Sequence, residues 1–291
     1  MLLGGIECGG TKMVCAIGDE NGRIIEKQTI PTESPDITMP LIVNYFKSFP
    51  IIAMGVASFG PIDLRRKSPT YGYITSSTKL YWRNYNLLGE LKKEFNIPFG
   101  LDTDVNGAVL GEVTYGSMKG ITNGLYMTVG TGIGIGVYAN GALVHGMLHP
   151  EGGHVTVKRH PEDTFYGNCV YHGDCLEGMA SGSALDERFG IQAAKVSMDN
   201  YAWKFESYYL AQAIMDYILI LSPEKIVLGG GVMNRKELFP MIRADVESLL
   251  GGYLHTYQLE HIDDYIIPSS LGGDQGVMGC MKLAFDAAAA S

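Results

Sequence analysis

No stretch of this 291-residue sequence is apolar for long enough to cross a bilayer. The most apolar run, Tyr217 to Leu221, falls far short of the roughly 20 residues that a transmembrane helix needs. Basic charge is scarce as well. Against 31 Asp and Glu there are 22 Lys and Arg, a net charge of −9, which argues against the basic face of a nucleic-acid binder. Cysteines number five, an odd count that suits thiols and metal ligands better than a disulfide frame. Two nucleotide signatures are missing. No Gly-Lys is followed by Ser or Thr, so there is no P-loop. The run from Gly130 gives no G-x-G-x-x-G, because position 135 is Ile. A G-x-G-x-x-A beginning at Gly134 leads into a hairpin signal instead of a helix, which disfavours a dinucleotide fold. Residues Met1 to Glu7 show neither a basic segment nor a long apolar stretch, so a cytoplasmic protein without a membrane partner is expected.

What the sequence has in quantity is glycine, 38 residues, clustered where tight turns would bring backbone close to a ligand. The first cluster sits in a repeated pattern. A strand over 2–8, a Gly9-Gly10-Thr11 turn, a strand over 12–17 and an Asn21-Gly22 hairpin signal come first. A strand over 124–129, a Gly130-Thr131-Gly132 turn, a strand over 133–139 and Asn140-Gly141 follow later. Two copies predict two structurally similar α/β halves. Between them, helices are expected near 36–48 and 86–95, with buried strands over 51–57 and 99–102. Later come a long amphipathic helix over 204–221, a strand over 225–228 and a helix from about 234 to 250. A short strand over 265–268 precedes a C-terminal helix that is expected to fray in Ala287 to Ala290.

Side-chain-free hairpin tips expose N–H groups that can cradle phosphate oxygens. Thr11 and Thr131 add hydroxyls and Lys12 a cation. Cys169-x-x-His172-x-x-Cys175, with His154 upstream, has the ligand types and number for a tetrahedral Zn²⁺, and four protein ligands make such a site structural. Asp174 and His160 are weaker candidates for the same ion. In Asp102-Thr103-Asp104-Val105-Asn106, either aspartate could accept the proton of an attacking hydroxyl, and spacing alone does not choose between them.

Glu7-Cys8-Gly9-Gly10-Thr11-Lys12, Thr103-Asp104-Val105-Asn106, Gly130-Thr131-Gly132-Ile133-Gly134 and Glu151-Gly152-Gly153-His154 occur in that order over nearly the whole chain. Together they resemble the ROK family (repressors, open reading frames, kinases), and the start and cysteine loop are most similar to its bacterial fructokinases. The resemblance implies an α/β, actin/hexokinase-like (ribonuclease H-like) two-domain fold with a central cleft. The small N-terminal domain would cover residues 1–115, joined by the C-terminal helix of about 277–291, and the large domain 116–276.

The implied activity is Mg²⁺–ATP-dependent phosphorylation of D-fructose to fructose 6-phosphate. Glucokinase, mannokinase or amino-sugar kinase activity is the alternative. A sugar-responsive repressor is the alternative of another class, disfavoured because the first phosphate motif begins at residue 7. By the same resemblance Asp104 is the general base. Gly60, Pro61, Asp104, Glu151, His154 and Glu177 bind the sugar, and Thr103 touches it. The nucleotide falls to Gly9, Gly10, Thr11, Lys12, Gly130, Thr131 and Gly132, with Gly182, Gly230, Gly231 and Gly272 towards the adenosine. His154, Cys169, His172 and Cys175 hold zinc; the family often has cysteine where His172 stands. A homodimer is the family expectation.

Overall fold

The computed structural model describes residues 1–291 and divides into two compact units. The first comprises Met1–Gly120, Leu143–His149 and Ser270–Ser291; the second comprises Ile121–Ala142 and Pro150–Ser269.

In the first unit β1 (Leu3–Cys8), β2 (Lys12–Gly18) and β3 (Ile24–Pro31) form an antiparallel meander. Strands β4 (Ala53–Ser58) and β5 (Phe99–Thr103) then extend the sheet in parallel, giving the order β3-β2-β1-β4-β5. Helices α1 (Pro35–Lys47) and α2 (Leu87–Glu94) come between these strands, and α3 (Asp104–Tyr115) follows them. One face of the sheet closes over a core that includes Ile6, Met13, Ile42, Phe46, Val56 and Trp82.

The second unit repeats the plan. Strands β6 (Gly124–Val129), β7 (Ile133–Ala139), β8 (Ala142–Leu143), β9 (Lys225–Gly229) and β10 (Ile266–Pro268) take the order β10-β9-β6-β7-β8. Reading outward from the central strand, each sheet has two meander strands on one side and two parallel strands on the other. The predicted duplication is therefore present at the level of topology. Helices α4 (Leu176–Ala180), α5 (Gly182–Phe189), α6 (Trp203–Leu221), α7 (Leu238–Leu250), α8 (Tyr257–Glu260) and α9 (Ile262–Tyr265) complete this unit. No helix of the chain is long and apolar enough to cross a membrane.

The last helix, α10 (Gln275–Ala289), belongs to the first unit because small residues let its backbone lie against the sheet and α3. A Cβ on Gly55 of β4 would sit 1.9 Å from the Cys280 carbonyl, and one on Gly279 would sit 1.8 Å from the Gly107 carbonyl. The expected fraying of Ala287 to Ala290 is not seen. The helix runs through Ala289, since Ala284 is buried and Phe285 and Ala288 pack on the Leu3, Ala16 and Ala53 cluster.

Two boundaries also differ from the sequence reading. The units divide after Gly120 and Ser269 instead of near residues 115 and 276, and segment Leu143–His149 groups with the first unit. Side chains explain the second difference: His145 bonds Asp102 and His149 accepts from the Ile62 amide. Of the five cysteines, Cys8, Cys15 and Cys280 are buried thiols of the first unit's interior, where burial pushes their pKa values up.

Candidate active site and metal centre

In the first unit, the β1–β2 tip carries the first phosphate motif. Gly9 closes it by donating to the Lys12 carbonyl at 3.0 Å, and a Cβ there would meet that oxygen at 2.6 Å. Gly9 is thus glycine for the turn itself. Gly10 differs, since its added carbon would meet only the flexible end of Lys79, at 3.3 Å. The amides of Gly10 and Thr11 make no hydrogen bond within the chain, and Thr11 and Lys12 are exposed. The tip therefore offers two free donors and one cation.

At the end of β5 the chain turns into α3, capped by Thr103. Its hydroxyl accepts from the Asn106 amide at 3.1 Å, and the residue is only 2% exposed. Thr103 was expected to touch a sugar; the structure makes it a buried helix cap instead. The two aspartates beside it now separate. Asp102 is buried and fully engaged: Oδ1 accepts from the Thr103 amide at 2.8 Å and from Asn106 Nδ2 at 2.6 Å, and Oδ2 lies 2.9 Å from His145 Nε2. Asp104 accepts only from the Val105 amide, at 2.9 Å. Burial raises Asp104 to about 6, against the lowering effect of the Val105 amide and of its own. Glu7 on β1 is raised to about 7, first by burial and then by the charge of Asp104. Two carboxylates thus titrate near neutrality, and each keeps an oxygen without a hydrogen bond.

The loop after β4 carries Gly60 and Pro61, joined by a cis peptide. Thr75 donates to the Pro61 carbonyl through its amide at 2.8 Å and its hydroxyl at 3.0 Å. Asp63 braces the loop from below by accepting from Arg65, Ser68 and Thr70, which hold its carboxyl well below the usual range. Gly272 lies in the turn before α10 of this unit and has a φ of 64°.

In the second unit, the β6–β7 tip repeats the first. Gly130 donates to the Gly132 carbonyl at 2.9 Å, while the amides of Thr131 and Gly132 make no hydrogen bond within the chain. The tip is tied to α5: Gly182 donates to the Gly130 carbonyl at 2.7 Å and Ser183 Oγ to the Thr131 carbonyl at 2.8 Å. Glu177 reaches the same tip, its Oε2 accepting from the Ile133 amide at 3.0 Å. A Cβ on Gly132 would press on that carboxylate at 2.6 Å. In the turn after β9, Gly230 sits at φ 90° and packs on the Val129 backbone. Around Gly231 there is open space, so it is the glycine of that turn whose missing side chain leaves room for a ligand.

His154, Cys169, His172 and Cys175 come together, with their ligand atoms all within 4.8 Å of one another. Cys169 Sγ lies 3.7 Å from Nδ1 of both histidines, and Cys175 Sγ lies 3.6 Å from His154 Nδ1. A tetrahedral Zn²⁺ with Zn–S of about 2.3 Å and Zn–N of about 2.05 Å would separate S from N by about 3.6 Å, so this donor set fits the ion. Asp174 and His160 are occupied elsewhere. Asp174 pairs with Arg159 at 3.0 Å, and His160 Nδ1 accepts from the Glu162 amide.

The turn Gly152–His154 is pressed onto β7, which places Glu151 and His154 at its ends. A Cβ on Gly153 would lie 1.9 Å from the Ile133 carbonyl. Gly153→Ala should accordingly cost about 1–3 kcal/mol as an overpacking change, read as a lower denaturation midpoint. An unchanged midpoint would show that the turn does not need this close approach.

Missing from the sequence reading are His145 and His149, whose partners are far away in sequence. The only available signal was a pair of histidines four apart just before Glu151.

Comparison with known proteins agrees with this geometry. The ROK family profile matches residues 3–287. A fructokinase of Pediococcus pentosaceus is 44% identical over 284 residues, spanning 98% of this chain and 98% of its own. A fructokinase of Streptococcus mutans is 40% identical over 289 residues, spanning 97% of each chain. Among solved structures, a ROK family glucokinase from Streptomyces griseus in complex with glucose and AMPPNP superposes with a TM-score of 0.76. Its sequence identity is 23%, over 98% of this chain and 100% of that one. Two sheets of one topology, two bare Gly/Thr tips and a profile match along nearly its whole length place this chain in the ROK family, with the actin/hexokinase-like fold.

Proposed function

We propose that this protein phosphorylates D-fructose at its 6-hydroxyl from Mg²⁺–ATP, with Asp104 as the general base. The choice of fructose rests on the fructokinase relatives at 40% identity and above. The chemistry rests on one observation: of the two aspartates flanking Thr103, only Asp104 has an uncommitted carboxylate oxygen. Its raised pKa keeps it an effective proton acceptor just above pH 6. The sugar hydroxyl would give its proton to Asp104 as its oxygen attacks the γ-phosphorus. Free amides at Gly10, Thr11, Thr131 and Gly132 would hold phosphate oxygens, with Lys12 supplying positive charge. Gly60, Pro61, Glu151, His154 and the second oxygen of Glu177 would line the sugar side. Gly231 would receive the flat base, with Gly182 and Gly230 supporting the turn backbone, while Gly272 serves the turn before α10.

Zinc held by His154, Cys169, His172 and Cys175 would close its coordination shell with protein atoms and stiffen the loop between Glu151 and Glu177.

ADP release measured across fructose, mannose, glucose, N-acetylglucosamine and N-acetylmannosamine tests the substrate. Fructose should give the highest kcat/KM, and a higher value for any other sugar would reassign it. The phosphate tips are tested by Gly10→Val. Because a side chain fits there without displacing backbone, stability should hold while the ATP KM rises tenfold or more. An unchanged ATP KM would remove Gly10 from the phosphate site. Gly132→Val is a less clean probe, because it also displaces Glu177.

A further inference from the structure

Segment Leu143–His149 is held to the first unit at two points. His149 is buried; its Nε2 accepts from the Ile62 amide at 3.4 Å, and its ring leaves 3.3 Å for a Cβ on Gly60. His145 binds Asp102, 43 residues away in sequence, at 2.9 Å. The segment thus joins the Gly60–Pro61 loop to the end of β5, the two places in this unit where the sugar is expected.

The Asp102–His145 pair is asymmetric. Asp102 has a side-chain exposure of 5% and His145 one of 41%. A buried carboxylate is costly unless its oxygens are satisfied. Asp102 satisfies Oδ1 locally and keeps Oδ2 for an imidazole that is open to solvent. Accepting from Nε2–H fixes the ring's tautomer and orientation. The other nitrogen, Nδ1, makes no hydrogen bond within the chain. A fully structural histidine would be expected to bury or pair both nitrogens. Instead, an oriented ring with one free nitrogen sits on a residue two positions from Asp104, at most about 7 Å away between Cα atoms.

We propose that His145 is a sugar-binding, specificity-determining residue: Nδ1 hydrogen-bonds a hydroxyl of the hexose other than the one phosphorylated, and Asp102 positions the ring. The proposal rests on the hexose-kinase reading with Asp104 as base. Its consequence is discrimination, because a site built to bond one hydroxyl rejects sugars that place that hydroxyl elsewhere. The pair also explains the burial of Asp102, which the reaction itself does not use.

The experiment compares wild type, His145→Ala, His145→Gln and Asp102→Asn in sugar and ATP kinetics, alongside thermal melts. His145→Ala should raise the fructose KM about tenfold, the value of one well-placed hydrogen bond, and shrink the preference for fructose over other hexoses. Its ATP KM should stay within about twofold. Gln can offer a donor to Asp102 and a separate acceptor, so His145→Gln should recover part of the loss. Asp102→Asn should show a milder form of the Ala phenotype. If His145→Ala unfolds, the Gln variant carries the test through its fructose KM and sugar preference. Unchanged fructose KM and sugar preference in His145→Ala would overturn the proposal. Equal rises in sugar and ATP KM, without rescue by Gln, would also overturn it by marking the segment as purely structural. Failure of the wild type to phosphorylate any hexose sinks the hexose-kinase reading and this proposal together, and it is visible before any variant is made.

Discussion

Asp104→Asn should lower kcat by roughly 10²- to 10⁴-fold, the range for loss of a general base, while the ATP KM stays nearly unchanged. The substitution keeps the shape and the acceptor oxygen that the Val105 amide uses. It removes only the basicity. The pH profile should carry the same signature. Asp104 is raised to about 6 and Glu7 to about 7, each chiefly by burial, with the Asp104 charge also acting on Glu7. Coupled groups titrate as a pair, so kcat/KM for the sugar should fall as pH drops through this 6–7 window. The stability sign runs the other way. A carboxyl whose folded pKa is raised is harder to ionise in the folded state, so stability falls as pH rises from about 4 to about 6, and the cost is complete above that. Asp104→Asn should therefore melt at an equal or higher temperature at pH 8, with the advantage fading as pH falls below 6. If Asp104 served only to favour the first turn of α3, the Asn variant would turn over near the parent rate, because one acidic charge at a helix start contributes only about 0.3–1 kcal/mol. That result would pass the base role to Glu7 or Glu151.

Much of this site was legible in the sequence because its elements are local. A strand, a bare Gly/Thr turn and a second strand specify a hairpin tip within about a dozen residues, and both tips formed where expected. The ligand spacing of Cys169, His172 and Cys175 was similarly local, and His154 joined them through a short turn. What stayed hidden depends on packing between distant segments. Asp102 and Asp104 look alike in sequence. They differ because His145 arrives from 43 residues away to claim the second oxygen of one of them. Glycines posed the same difficulty. Gly10 and Gly231 leave space, whereas Gly9, Gly132 and Gly230 are glycine because protein atoms already fill the position of a side chain. Composition cannot separate those two reasons. Helices α4 and α5 have no counterpart among the elements expected from the sequence, although the Ser181 hydroxyl caps α5. The fate of the alanine tail was decided by burial of Ala284 and by the packing of the half-buried Ala288, which propensity alone does not reveal.

Metal removal should produce the other large effect. Fresh protein should contain about one zinc per chain, and Cys175→Ser should lose it. Cys175 is the buried member of the four, so its loss cannot be made good by water as readily as loss of the exposed His172. Without a metal, burial pushes the Cys175 thiol up to about 11, whereas a bound cation would deprotonate it. Binding must therefore release protons, and zinc affinity should decline as the pH is lowered. The loop has other braces: Arg159 binds the Phe165 and Tyr166 carbonyls and Asp174, and the Asn168 amide donates to Gly178. Those contacts should keep the unit folded, so the metal-free protein should melt earlier as a cooperative whole. The sugar KM should rise together with this loss, since the metal-bearing segment ends at Glu151 and Glu177, while the ATP KM should move less. A chelator at neutral pH should reproduce the Cys175→Ser phenotype in the wild type and leave the variant unchanged. Elemental analysis that finds no stoichiometric zinc, with the same melting temperature before and after chelation, would show that these four side chains cluster without holding a metal.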